Sequence, residues 1–239
     1  MARLSRYGLP GQPQHVIQRG NNRSPIFFAL EDYEFFLECL HEGSIKYACS
    51  IHAYVLMTNH VHLLVTPKSA DGISKLMQSV GRRYVQYVNF TYRRSGTLWE
   101  GRYKAVPMDS DGYVMACYRY IEDNPVRAAM VTHPGGYRWS SYHHNADAKA
   151  DPLIRQHLLY RALGPDEKSR CAAYRKLFKA DLAEADLTAL RDSINKGWVL
   201  GSDRFVSKIE AVAKRRVAPL AKGGRRRGAG RPKREKNEK

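Results

Sequence analysis

The chain has 239 residues, 43% hydrophobic and 26% charged, which supplies a packed core and excludes a wholly disordered polypeptide. Lys and Arg number 40 against 23 Asp and Glu, and the net charge of +17 points to a polyanionic partner. No run of about 18 apolar residues is present and MARLSRYGLPGQPQH lacks an apolar signal stretch, so neither a membrane span nor a secretory signal is expected.

In chain order, residues 14–20 read as a strand and 30–46 as a helix, with Phe35, Phe36, Cys39 and Leu40 near helical spacing. CSIHAYVLM (49–57) and HVHLLVT (60–66) are apolar, β-branched runs separated only by Thr58-Asn59, which predicts a hairpin. A long helix is predicted over 72–94, its apolar face formed by Ile73, Leu76, Met77, Val80, Tyr84, Tyr87 and Val88, with Gly96 ending it. Residues 98–108 read as a fourth strand, and 111–124 as a short helix stopped by Pro125. The order β-α-β-β-α-β predicts an α+β, ferredoxin-like split βαβ fold, an antiparallel sheet backed by helices.

After this unit, spanning 1–135, the composition shifts to Gly, Ser, His, Asn and Asp, and 136–151 reads as a connector. A helical extension follows over 152–213. Residues 214–239 carry 12 basic and 2 acidic residues, more than half the net charge, and with little to bury they are expected to be disordered. The four cysteines, Cys39, Cys49, Cys117 and Cys171, form no C-x-x-C pair. That argues against a disulfide scaffold or a Cys zinc site and fits a reducing cytoplasm.

Two features carry chemistry. His60 and His62 are two apart in a strand, so both imidazoles project from one face beside a turn, as a metal site requires. On the short helix, Tyr113, Cys117, Tyr120 and Asn124 are spaced 4, 3 and 4 and form one stripe. Core packing explains Tyr113 and Cys117. It does not explain Asn124, whose amide needs partners. Tyr120 and Asn124, at i and i+4, pair a potential nucleophile with an oxygen ligand.

MTNHVHLLV (57–65), LWEGRYKA (98–105) and YRYIEDNPVRAAMV (118–131) together resemble the single-tyrosine transposases of bacterial insertion sequences, and within them the REP-associated tyrosine transposases. The resemblance covers about residues 5–145, and GWVLGSDRF (197–205) looks like the family's C-terminal extension. It implies single-stranded, hairpin-forming DNA as substrate and Mg²⁺ or Mn²⁺ as cofactor. It also implies Tyr120 as nucleophile, forming a 5′-phosphotyrosine, and His60, His62 and Asn124 as metal ligands. Tyr118 lies about 200° around the helix from Tyr120 and should point elsewhere.

Arg82, Arg83, Arg102 and Lys104 are candidates for phosphate contacts, and Tyr84, Tyr87 and Trp99 for base stacking. Gly230-Arg231-Pro232 resembles the centre of a minor-groove hook, but Ala229 replaces the preceding Arg, which favours a non-specific electrostatic arm. Two other classes compete: a catalytically silent DNA-binding or regulatory protein on the same fold, and an RNA-binding domain. The strands lack the RNA-binding aromatic motif, which disfavours the latter. A cytoplasmic, nucleoid-associated bacterial protein is expected, and monomer and homodimer both remain open.

Overall fold

A computed structural model describes residues 6–109 and 112–219. Its centre is a four-stranded sheet: β1 (Gln14–Arg19), β2 (Cys49–Met57), β3 (His60–Pro67) and β4 (Lys104–Pro107). The order is β2-β3-β1-β4 and every pairing is antiparallel, as the split βαβ pattern requires. β2 and β3 are buried on both faces, which explains why both read as continuous apolar runs.

Helices α1 (Leu30–Lys46) and α2 (Gly72–Thr91) pack on each other and back one face of the sheet. The opposite face, which carries His60 and His62, receives α3 (Val114–Glu122). A single turn, α4 (Asn124–Arg127), follows directly. Pro125 sits in its first turn, where a missing N–H costs nothing.

The start of α1 is set by one buried carboxylate. Asp32 accepts from the backbone N–H groups of Phe28 (2.7 Å) and Ala29 (3.0 Å), and from the hydroxyls of Tyr87 and Tyr92 at the far end of α2. It therefore caps one helix and ties it to another.

The structure differs from the sequence reading in four places. β4 is shorter than 98–108: Gly101 has φ +140°, and of residues 98–103 only Trp99 makes a bridge, to Gly20. The segment 136–151 is packed rather than a bare connector. It contains α5 (Tyr142–Asp147), buries Trp139, Tyr142 and Asn145, and bridges Val55 through Ser140. Its polar residues serve to close the exposed edge of β2.

The extension, expected to be helical from 152, begins without a helix: Ile154 bridges to Ile51 of β2, and a single turn, α6 (Leu158–Arg161), follows. It is followed by α7 (Glu167–Leu177), α8 (Glu184–Lys196) and α9 (Asp203–Ala213). Finally, 214–219 is not a loose arm. Val217 is fully buried, and its backbone pairs with Val199 and the Glu210 carboxylate. Arg231 and the rest of the basic tail lie outside the described residues.

Asp32→Ala leaves four donors without their acceptor. It is expected to destabilise the fold by about 3 kcal/mol in urea denaturation. A loss under about 0.5 kcal/mol, the range of surface substitutions, would show that the cap does not organise the helical layer.

Candidate active site

The register of β1 and β3 assembles the site. Arg19 pairs with His60 and Ile17 with His62, so Arg19, Ile17 and His15 share the histidine face. His15 was not singled out by sequence reasoning; it is isolated in the sequence, and only strand pairing brings it near His62. The two rings stack with centroids 5.0 Å apart, and His15 Nε2 lies 2.8 Å from His62 Nδ1. Both are buried and held neutral. Burial lowers His15 to about 3 and drives His62 well below 6.5, with nearby cationic groups adding to both shifts.

His60, at the mouth of β3, is lowered to about 4, by burial first and then by Arg19. Its Nδ1 lies 2.6 Å from Asn59 Oδ1, and Asn59 Nδ2 donates to the Arg23 carbonyl, which orients the amide. A carbonyl oxygen only accepts, so His60 carries its proton on Nδ1 and its Nε2 lone pair is bare. If His62 donates from Nδ1 to His15, its Nε2 is bare too. This is the arrangement of metal-binding imidazoles, each fixed through its other nitrogen.

Tyr120 comes from α3. Its ring meets His62 edge-on at 5.9 Å and His15 at 5.7 Å. Burial raises the phenol above its ordinary value, while Arg127 and Arg191 pull it down. Arg127 lies 4.3 Å over the Tyr120 ring, donates to the Tyr120 carbonyl and pairs with Asp123. Asn124 donates from Nδ2 to the carbonyls of Tyr120 (2.9 Å) and Ile121 (3.1 Å).

The His60 and His62 rings lie with centroids 5.0 Å apart, and two imidazole nitrogens with one amide oxygen are donor types that suit Mn²⁺ or Mg²⁺. Among the described residues no three His, Cys, Asp or Glu side chains are arranged to hold a metal.

The other candidates fall in different places. Tyr118 points away from the site, as its helical angle predicts: it is fully buried against Tyr160 and Tyr174. Arg102 and Lys104 line clefts beside β4. Arg82 is exposed on α2, in the layer across the sheet from the histidines. Arg83 of the same helix pairs with Glu42 at 2.5 Å. Tyr84 is fully buried and donates to the Ile26 carbonyl, so it cannot stack a base. Tyr87 is committed to Asp32, and Trp99 is half-buried with its Nε1 towards the Gly81 carbonyl.

The buried imidazoles set a pH dependence. His15, His60 and His52, the last lowered to about 4 by burial, bind protons in the unfolded chain before the folded one. Acidification from 6.5 towards 4 therefore withdraws stability, by up to about 1.4 kcal/mol per pH unit for each group. Glu122, raised to about 7 by burial, acts oppositely: from 7 down to 4.5 the folded state keeps a proton that the unfolded chain has lost. Three or more histidines outweigh one carboxyl, so stability is expected to fall over this range. In His15→Phe the slope should flatten by about one proton. An unchanged slope in that variant would show that His15 is charged in the fold.

Residues 12–124 match the family model of IS200-like transposases. No curated protein sequence matches the chain. Among solved structures, a REP-associated tyrosine transposase bound to a REP hairpin aligns with TM-score 0.54 and 17% identity, over 66% of this chain and 93% of its own. A protein of Deinococcus radiodurans R1 assigned as a transposase aligns with TM-score 0.36 and 21% identity, over 52% of this chain and 97% of its own. The first likeness establishes the shared fold. The family match runs through all four strands and α1–α3 and ends on Asn124, taking in His60, His62 and Tyr120, and over this stretch the chain is similar to the IS200-like transposases.

Proposed function

We propose that the protein cleaves and rejoins hairpin-forming single-stranded DNA through a covalent 5′-phosphotyrosine at Tyr120, with a divalent metal held by His60, His62 and Asn124. The observation that carries this reading is the placement of Tyr120 edge-on to His62, on a helix that crosses the histidine face. The REP hairpin in the structure of similar fold makes palindromes of that class the first substrates to test.

A metal bound there would act as a Lewis acid on a non-bridging oxygen of the scissile phosphate. The chain's own residues do the rest. Tyr120 Oη forms a bond to phosphorus as the bond from phosphorus to the 3′ oxygen breaks, and the phenol proton passes, on balance, to the departing 3′-OH. The energy of the phosphodiester is kept in the tyrosyl ester, so the 3′-OH of the same or another strand reverses the attack without an external energy source. Arg127 and Arg191 favour the phenolate that develops on attack, against the burial that disfavours it. Asp123 and the Tyr120 carbonyl hold Arg127 in place.

The decisive assay incubates labelled hairpin oligonucleotides with the protein and Mn²⁺ and looks for an adduct that survives denaturation. Wild type and Tyr118→Phe should form it, and Tyr120→Phe should not while still binding DNA. His60→Ala and His62→Ala should abolish cleavage, Asn124→Ala should weaken it less, and chelation should abolish it reversibly. An adduct in Tyr120→Phe removes the nucleophile assignment, and full cleavage in excess chelator removes the metal.

A further inference from the structure

A groove of two joined cavities, about 410 and 290 Å³, runs between β4 and the C-terminal end of α8. The cavities share Glu100, Gly101, Arg102, Lys104 and Asn195, so they form one continuous channel. Arg6, Arg19, Arg102, Lys104, Lys196 and Arg215 line it, against the single carboxylate of Glu100.

Its two ends are informative. At one end lies Arg19, directly opposite His60 in the β1–β3 register. At the other, the Arg6 guanidinium lies 4.0 Å over the Tyr103 ring and that of Arg215 4.6 Å over Tyr7. The Tyr7 hydroxyl in turn donates to the Gly197 carbonyl at the end of α8. The Nε–H of Arg6 is buried with no acceptor among the described residues.

We propose that this groove carries the phosphate backbone of a single-stranded DNA arm and delivers it past Arg19 to Tyr120. The inference rests on the reading of the protein as a single-strand nuclease and specifies the path its substrate takes. The charge of the lining suits a polyanion, and its continuity with the histidine face gives the strand a direction. The duplex of a hairpin would sit outside the groove. Contacts to phosphate carry little sequence information, so the groove grips arms of many sequences alike.

The test uses the full chain and two fluorescent oligonucleotides: a hairpin alone, and the same hairpin with a single-stranded arm of about eight nucleotides. In wild type the arm should tighten binding. Arg102→Glu with Lys104→Glu should erase about tenfold or more of that gain and lower the salt slope for the armed DNA by about 1.4, two single-strand phosphate contacts at about 0.7 each. Arg102→Gln with Lys104→Gln should do the same to a lesser degree. Arg82→Glu, on the far helical layer, should keep the gain.

A gain from the arm that survives both double variants, or that Arg82→Glu erases equally, overturns the proposal. The nuclease reading fails separately. If no adduct forms at Tyr120 but the double variants still lose the arm's contribution, the groove stands as a single-strand site and only the chemistry falls.

Discussion

The short helix α3 is held on two sides at once, and the site depends on that double constraint. One side presents Tyr120 to the histidines of the sheet. The other presents Tyr118 and Glu122, one helical turn apart, to the extension. The buried Glu122 carboxyl accepts from Ser141 Oγ (2.5 Å), Tyr174 Oη (2.6 Å) and Asn145 Nδ2 (2.7 Å). Ser141 also bonds the backbone N–H of Tyr54 in β2. One carboxyl thus ties α3, α5, α7 and the sheet edge together. Satisfying three donors in a buried place leaves few alternative rotations of the helix, because any rotation strands them. The aim of the Tyr120 ring follows from contacts made on the opposite side of its helix.

The residues after α3 complete the arrangement by folding back on it. Asp123, Asn124 and Arg127 all engage its last turn: Asn124 caps the Tyr120 and Ile121 carbonyls, and Arg127, paired with Asp123, covers the Tyr120 ring. Pro125 starts the single turn of α4 without disturbing a hydrogen bond. A compact run of sequence therefore places a phenol, an amide and a guanidinium together, because one reversal of the chain brings Tyr120, Asn124 and Arg127 to one helix end.

The legibility of each part follows from how local its determinants are. Strand alternation placed His60 and His62 on one face, and helical spacing separated Tyr120 from Tyr118; both are properties of a few adjacent residues. The bounds of α1 follow from helical spacing and those of β2 from a continuous apolar run. His15 was not legible, since nothing near it marks it and only the β1–β3 register sets it beside His62. The layer occupied by α2 was equally hidden. Its amphipathic pattern shows that one face is buried, but not that the whole helix lies across the sheet from the histidines, which removes Arg82, Arg83 and Tyr84 from the site. The segment 136–151 looked like a linker because composition does not distinguish polar residues that face water from polar residues that seal a sheet edge.

Helix α8 gives the extension a place in the site itself. Ile194 packs on Ile17 and Val106, apolar residues on the histidine face of β1 and β4. Burying such side chains stabilises by about 1.5–3 kcal/mol each, so the sheet is poorly covered without the extension. One continuous core reaches from Val16 in β1 through Tyr118, Tyr160 and Tyr174 to Leu190 and Leu200. On the same helix as Ile194, Arg191 draws down the phenol of Tyr120. The side of the histidine face that α8 covers is closed to a strand, and the basic channel beside β4 remains along its border. The extension thereby acts as a wall of the candidate site: it sets the charge of Arg191 on Tyr120 and covers one side of the histidine face.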